Sequence, residues 1–236
     1  MKKIAIMQPY FFPYIGYFQL INAVDLFVVY DDGSMIKRGF MSANSLLSSD
    51  HRSPLPIRLR VSHGNYLKPI KDVEVADNSF NFEKLLKTIH HNYSGAPYYD
   101  DVYPVLERCL RCPERNLTRL LVFMLRQVCD YIGITTPFAF SSEAPKDGAP
   151  DAQRKIFRTC DHFGIHHYIN PIGGTKYYDK AVFAANGVKL SFLRRSDDIC
   201  YKQFKGPFVK DLSIIDVMMF NSPEQIRSLL QQFSLE

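Results

Sequence analysis

The stretch KIAIMQPYFFPYIGYFQLINAVDLFVVYDD, residues 3–32, decides the fold. It opens with KIAIMQ, a short apolar and partly β-branched run that reads as a buried strand. Pro9 stops that run, and Gly16 follows in the turn beyond it. In GYFQLINAVD the apolar residues Phe18, Ile21, Ala23 and Val24 recur on one face of a helix that ends near Asp25. LFVVYDD is then a second buried strand, closed by two carboxylates. Strand, helix and strand within thirty residues define a βαβ unit, which requires parallel strands and a crossover helix.

Outward from this unit the pattern changes and then returns. Residues 33–80 hold Pro54, Pro56, Pro69 and strand-like pieces at 56–61 and 71–76. Ile57, Leu59 and Val61 alternate with Arg58 and Arg60, so a half-exposed antiparallel ribbon is expected. Three helices are predicted at 82–92, 99–109 and 117–132, the last capped by Asn116 and stopped by Gly133. Strands follow at 137–141, 166–170 and 188–193, separated by helices at 151–162 and 178–185. An apolar block at 212–220 precedes a final helix at 222–233, with Pro223 in its first turn. The expected architecture is α/β: a Rossmann-like, doubly wound, mainly parallel sheet of about five strands with a small antiparallel ribbon. One domain over residues 1–236 is expected, with residues 82–133 as a helical insertion within it.

Composition narrows the function classes. The 236 residues are 46% hydrophobic and 22% charged, ordinary for a globular chain. No run approaches the roughly 20 apolar residues of a membrane span. The opening MKKIAIMQPY reaches Gln8 after four apolar residues, too few for a secretory signal, so a cytoplasmic location is expected. Lys and Arg number 29 against 24 acidic residues, a formal charge of +5. That mild excess suits an anionic small molecule and falls short of a dedicated nucleic-acid surface. Five cysteines without an export signal read as reduced thiols.

Several clusters carry candidate chemistry. Ligands of parallel sheets bind at the carboxyl ends of strands, beside the first helix N-terminus. Gln8, Tyr10, Tyr14, Gly16 and Tyr17 fall there, the glycine giving backbone access and the tyrosines giving hydroxyls and flat faces. The alternative is that these rings pack the top of the core. Asp31 and Asp32 end the second strand, where a carboxylate holds ribose hydroxyls or a metal, or acts as a base; the alternative is a solvated strand end. Lys37, Arg38 and Asn44 follow on a loop suited to clamping phosphate, or simply to surface charge. Ser141 ends the third parallel strand. INPIGGTKYYD, residues 169–179, sets Gly173, Gly174 and Lys176 before a helix, a combination that holds anions, although it lacks the P-loop spacing. His167 is an acid or base candidate beside Asp31 and Lys37. Cys109 and Cys112 form a CxxC with nothing to complete a zinc site, and neither the adjacent histidines nor any other pattern marks a metal. No cofactor is identified by the sequence.

Two resemblances sharpen this reading. P-Y-I-G-Y at residues 13–17 resembles the turn of HIGH-signature nucleotidyltransferases, with Tyr14 and Tyr17 where that motif has histidines. Much longer is the likeness of residues 3–32, IKRGF with Asn44, APYYDDVYP, YIN-P-IGG-KYYD and LSIID to the WbqC-like protein family. It departs at Gly33-Ser34 and at Phe40, where Trp is usual. The resemblance implies a bacterial protein of O-antigen or other surface-polysaccharide assembly. It also implies a transferase acting on a nucleotide-linked amino sugar, with acyl or aminoacyl transfer among the reactions suggested. The competing expectation is a non-catalytic nucleotide- or sugar-binding module derived from the nucleotidyltransferase fold.

Overall fold

The computed structural model of the chain describes residues 1–35, 39–62, 68–145 and 152–236. Strand β1 (Ile4–Met7) pairs in parallel with β2 (Leu26–Val29), and helix α1 (Ile15–Asn22) connects them. The period-two alternation along these strands feeds two faces. Ala5, Phe27 and Val29 enter one core, while Ile4, Ile6 and Val28 enter the other. Both faces being covered explains why the strands read as continuous apolar runs.

The sheet grows on both sides of this pair. Strand β5 (Phe138–Phe140) adds in parallel to β2, and β6 (His167–Pro171) adds in parallel to the free side of β1. β7 (Lys189–Arg195) follows β6 in parallel, and a short β8 (Phe233–Leu235) closes the edge antiparallel. The order is β5-β2-β1-β6-β7-β8. Numbered within the sheet alone it is 3-2-1-4-5-6, the doubly wound order, whose reversal falls between β1 and β6. The five parallel strands accord with the sequence; the antiparallel β8 was not anticipated. The final helix is shorter than expected, α8 (Pro223–Leu230), with Ser222 and Gln225 forming a reciprocal capping box. That frees residues 233–235 to pair.

The small ribbon pairs β3 (Ala43–Leu47) with β4 (Pro54–Arg58), antiparallel. Residues 71–76, expected as a strand, instead form a 3-10 turn at Ile70–Asp72 and two isolated bridges, Val61 to Val75 and Glu74 to Asn116. Helices α2 (Ser79–Tyr93), α3 (Tyr99–Leu110) and α4 (Leu117–Ile132) follow. Asn116 caps α4 by accepting from the Arg119 amide at 3.1 Å, and Gly133 ends it at φ 88°, a conformation that favours glycine.

Helices α1 to α4, α7 (Ile214–Phe220) and α8 share one core cluster, while α5 (Ala152–Phe163) and α6 (Lys180–Ala185) bury residues in the other. Gln19, fully buried on α1, donates to the carbonyls of Leu229 and Gln232 at 3.1 and 3.0 Å. These bonds pin the crossover helix to the C-terminal segment.

Candidate functional site

The β1–β6 reversal opens into a cleft of about 440 Å³ at the carboxyl edge of the sheet. Ile6, Met7 and Gln8 at the end of β1 form one side, and Asn170, Pro171, Gly173 and Gly174 at the end of β6 form the other. Six tyrosines complete the lining (Tyr10, Tyr14, Tyr30, Tyr168, Tyr177 and Tyr178), together with Phe40 and Ile156. Among the described residues no charged side chain lines it. Its polar equipment is the two amides, Gln8 and Asn170, and phenol hydroxyls. Burial raises the pKa of Tyr10 and of Tyr14, so both stay neutral hydroxyls at physiological pH.

A strained loop carries the first two tyrosines. Phe12 adopts φ 40°, unusual for a residue other than glycine, with its ring buried against Phe11. Its carbonyl accepts from Asn44 Nδ2 at 2.6 Å and from Ser213 Oγ at 2.7 Å. Such backbone persists only where its surroundings over-determine it. Asn44 therefore does not line the cleft; it clamps the loop that presents Tyr10 and Tyr14. Tyr10 packs at a tilt against Phe40, 5.5 Å between ring centres, and Phe40 is 52% exposed at the rim. Tyr177, on the other side, is 74% exposed.

Three glycines make room for lining side chains. A Cβ at Gly16 would lie 2.6 Å from the Tyr14 ring, one at Gly33 would lie 2.3 Å from the Tyr30 ring, and one at Gly174 would lie 1.9 Å from Asn170 Oδ1. The expectation for Gly16 was access of ligand to backbone. Its observed service is to let the Tyr14 ring lie back on the first turn of α1.

Of the other expected residues, the structure brings Gln8, Tyr10, Tyr14, Gly173 and Gly174 to the cleft and puts several elsewhere. Tyr17 is 2% exposed, packs edge-on against Phe27 and at a tilt against Tyr10, and donates to the Gln8 carbonyl at 2.7 Å, so it packs the core beneath. Lys176 sits exposed in the 3-10 segment Ile172–Lys176, outside the lining. Lys37 and Arg38 lie outside the described residues.

Asp31 is buried, and Ser142 donates to it through its amide at 3.0 Å and its hydroxyl at 2.8 Å. Ser141 Oγ donates to Asp32 at 2.6 Å and accepts from the Asp31 amide at 3.2 Å. Adjacent strand residues should face opposite ways, but β2 ends at Val29, and beyond it both carboxylates turn to the end of β5. Asp31 and Ser141 thus join two strand ends. Asp32 in turn draws Lys155 and Arg158 of α5 to 3.8 and 3.9 Å. Lys155 also stands 5.6 Å over the Tyr30 ring, with its Nζ 3.5 Å from the Tyr30 hydroxyl.

His167 begins β6, at the amino edge of the sheet, opposite the cleft. Its Nε2 meets Ser191 Oγ at 3.0 Å, and burial with nearby Lys189 and Lys3 lowers its pKa. A strand of five residues separates its two ends by roughly 13 Å, so the sequence position near one end did not distinguish the edges.

Sequence reading also missed Asp216, the one charge in the apolar block of α7. It is fully buried and accepts from Gln203 Nε2 at 2.6 Å, Tyr201 Oη at 2.7 Å and Tyr93 Oη at 2.9 Å. A lone carboxylate in an apolar run is the signal that marks such a network.

A doubly wound α/β protein with a neutral, aromatic cleft at its strand-order reversal is the class these features define. Within that class, the model of the WbqC-like protein family matches residues 8–228, and the chain belongs to that family. It is also similar to the uncharacterized protein Rv1507c of Mycobacterium tuberculosis (strain ATCC 25618 / H37Rv), 27% identical over 232 residues, covering 96% of this chain and 98% of the other. No solved structure matches. No helix among the described residues is long and apolar enough to cross a membrane.

Proposed function

We propose that this protein binds a nucleotide-activated sugar in the cleft and acts on it as a cytoplasmic transferase in bacterial surface-polysaccharide assembly. The observation that carries the reading is the aromatic cleft at the β1–β6 reversal, where doubly wound sheets take nucleotides. Tyrosine faces stack on a planar base, and the amides of Gln8 and Asn170 hydrogen-bond its edge. The beginning of α1, which no side chain caps, offers backbone N–H groups to phosphate. In this reading Lys37, Arg38 and Lys176 serve the phosphate next to the nucleoside. Helices α2 to α4 serve as an insertion within one domain that supports the loop side of the cleft.

A second reading is a binding module without chemistry. It is favoured by the lining itself, whose ionisable groups among the described residues are all tyrosines, with Asp31 engaged by Ser141 and Ser142 and His167 on the far edge. A thermal-shift panel of nucleotides, nucleotide sugars and acyl donors separates the two. A ligand at 100 times its Kd adds about 2.7 kcal/mol, which for a chain of this size raises Tm by roughly 5–11 °C. A nucleotide sugar that binds and is consumed with a donor supports the transferase. Binding without turnover supports the module, and no shift with any nucleotide refutes both.

A further inference from the structure

A second cavity of about 330 Å³ lies along the same edge of the sheet and shares one wall with the first. That wall is Tyr14, which lines both. The remainder comes from Ile15 of α1, from the end of β7 and the segment after it, from Phe208 and residues 210–212, and from Val217 of α7. Its chemistry is the opposite of its neighbour's. Arg195 and Lys210 bring two cations, and Asp197, Asp198 and Asp211 bring three carboxylates.

Arg195 reaches Asp211 at 2.6 Å, which leaves most of its five donors for other acceptors. Lys210 is exposed and has no ion-pair partner among the described residues. Both Arg195 and Asp211 lie close enough to Tyr14 to act on its hydroxyl electrostatically.

A nucleotide sugar has a neutral end and a charged, polyhydroxylated end, and the two cavities divide along that line. A diphosphate buried among tyrosine rings without a cation would bear a large desolvation penalty. Beside Arg195 and Lys210 it gains charge-assisted hydrogen bonds instead. Carboxylates are acceptors only, and they suit the hydroxyl donors of a sugar. We infer that the cavity at Arg195 and Lys210 is the subsite for the glycosyl diphosphate end of a nucleotide sugar whose base enters the aromatic cleft. This rests on the function proposed above. The diphosphate then crosses the start of α1 over Tyr14, and the ring of Tyr14 sets the path between the two halves.

Titration calorimetry on the full chain tests this with the monophosphate, diphosphate and diphosphohexose of uridine, guanosine and thymidine. For the base that binds, Lys210→Gln and Arg195→Gln should each weaken the diphosphate and the diphosphohexose at least tenfold, leaving the monophosphate within twofold. Phe40→Ala should weaken all three alike. Circular dichroism melts check folding, and if Arg195→Gln loses its fold with the Asp211 pair, Lys210→Gln decides. Charge variants that change nothing, or that weaken all three ligands equally, overturn the subsite and leave the cleft standing. A wild-type chain that binds none of the nine compounds overturns the cleft and this subsite together.

Discussion

Replacing Gly174 with alanine would set a methyl carbon 1.9 Å from Asn170 Oδ1 and 2.9 Å from its Cγ. Carbon contacts settle near 3.5–4.0 Å, so the amide must swing away by about 1.5 Å or more. The swing breaks the bond from Asn170 Nδ2 to the hydroxyl of Tyr168, a ring that is 1% exposed. Stranding that hydroxyl costs about 1–3 kcal/mol, and an off-rotamer amide about 0.5–1.5 kcal/mol more. Gly174→Ala should therefore destabilise by roughly 2–4 kcal/mol, a fall in Tm of about 4–16 °C for a chain of this length. Urea melts followed by circular dichroism supply the free energies for a double-mutant cycle with Asn170→Ala. Once the amide is gone, the nearest remaining contact of the new methyl is Tyr178 Cδ2 at 3.3 Å, and Gly174→Ala should cost under about 1 kcal/mol. Equal costs in the two backgrounds would refute the argument that the glycine exists to seat Asn170.

Asp216 gives a pH signature. Burial raises its pKa against three hydrogen bonds that lower it, so the native state holds this proton longer than the unfolded chain does. Its contribution to stability therefore declines as pH rises from about 4 through the raised native pKa. Asp216→Asn removes that slope, and a wild-type minus variant difference that is flat or rises with pH would count against it. For His167 the sign is reversed. Its lowered native pKa keeps it neutral, so stability falls as pH drops below about 6.5, and His167→Gln should remove that dependence while leaving nucleotide affinity within twofold. A tenfold loss of affinity would bring His167 back to the site. Finally, tyrosine at positions 14 and 17 supplies no positive charge for a phosphate transition state, an absence worth about 10²–10³ in rate. Pyrophosphate release from the four nucleoside triphosphates with magnesium should be negligible, and robust turnover lost in Tyr14→Phe would show the opposite.

The parallel core was legible because its strands are buried on both faces and announce themselves as apolar runs such as KIAIM and LFVV. Caps carried their own chemistry, as at Asn116, Gly133 and Ser222. The ribbon was half legible. Alternation identified residues 56–61, which overlap the observed strand at 56–58, but its partner ANSLL mixes polar and apolar positions because Asn44 turns to the backbone of Phe11 and Phe12. At the site, residues next to strand ends and glycine turns were readable, since topology fixes where those ends lie. Which polar groups were already engaged was not. Asp31 and Ser141 are partners across 110 positions of sequence, and no local pattern encodes that. Tyr17 and Tyr14 are three residues apart on one helical turn, yet one anchors the core and the other walls the cleft. Only the packing of α1 against the sheet separates them.

The placement of β1 between β2 and β6 has a consequence for how the chain is made. Ile4 finds β2 about twenty residues later, but its other neighbour, Tyr168, lies more than 160 residues downstream. At ribosomal speeds of roughly 5–20 residues per second, one side of β1 waits on the order of ten seconds for its partner to emerge. Through that interval it is an unpaired apolar edge in a nascent chain, open to wrong pairings. Helix α1, synthesised between β1 and β2, buries its apolar side in the core on one face of that pair, while the other face waits for α5 and α6 and the seam along β1 waits for β6. The cleft lies along that seam. Ligand recognition is therefore a property of the finished chain alone, and a truncated product ending before residue 167 would carry the N-terminal tyrosines but no pocket for them to line.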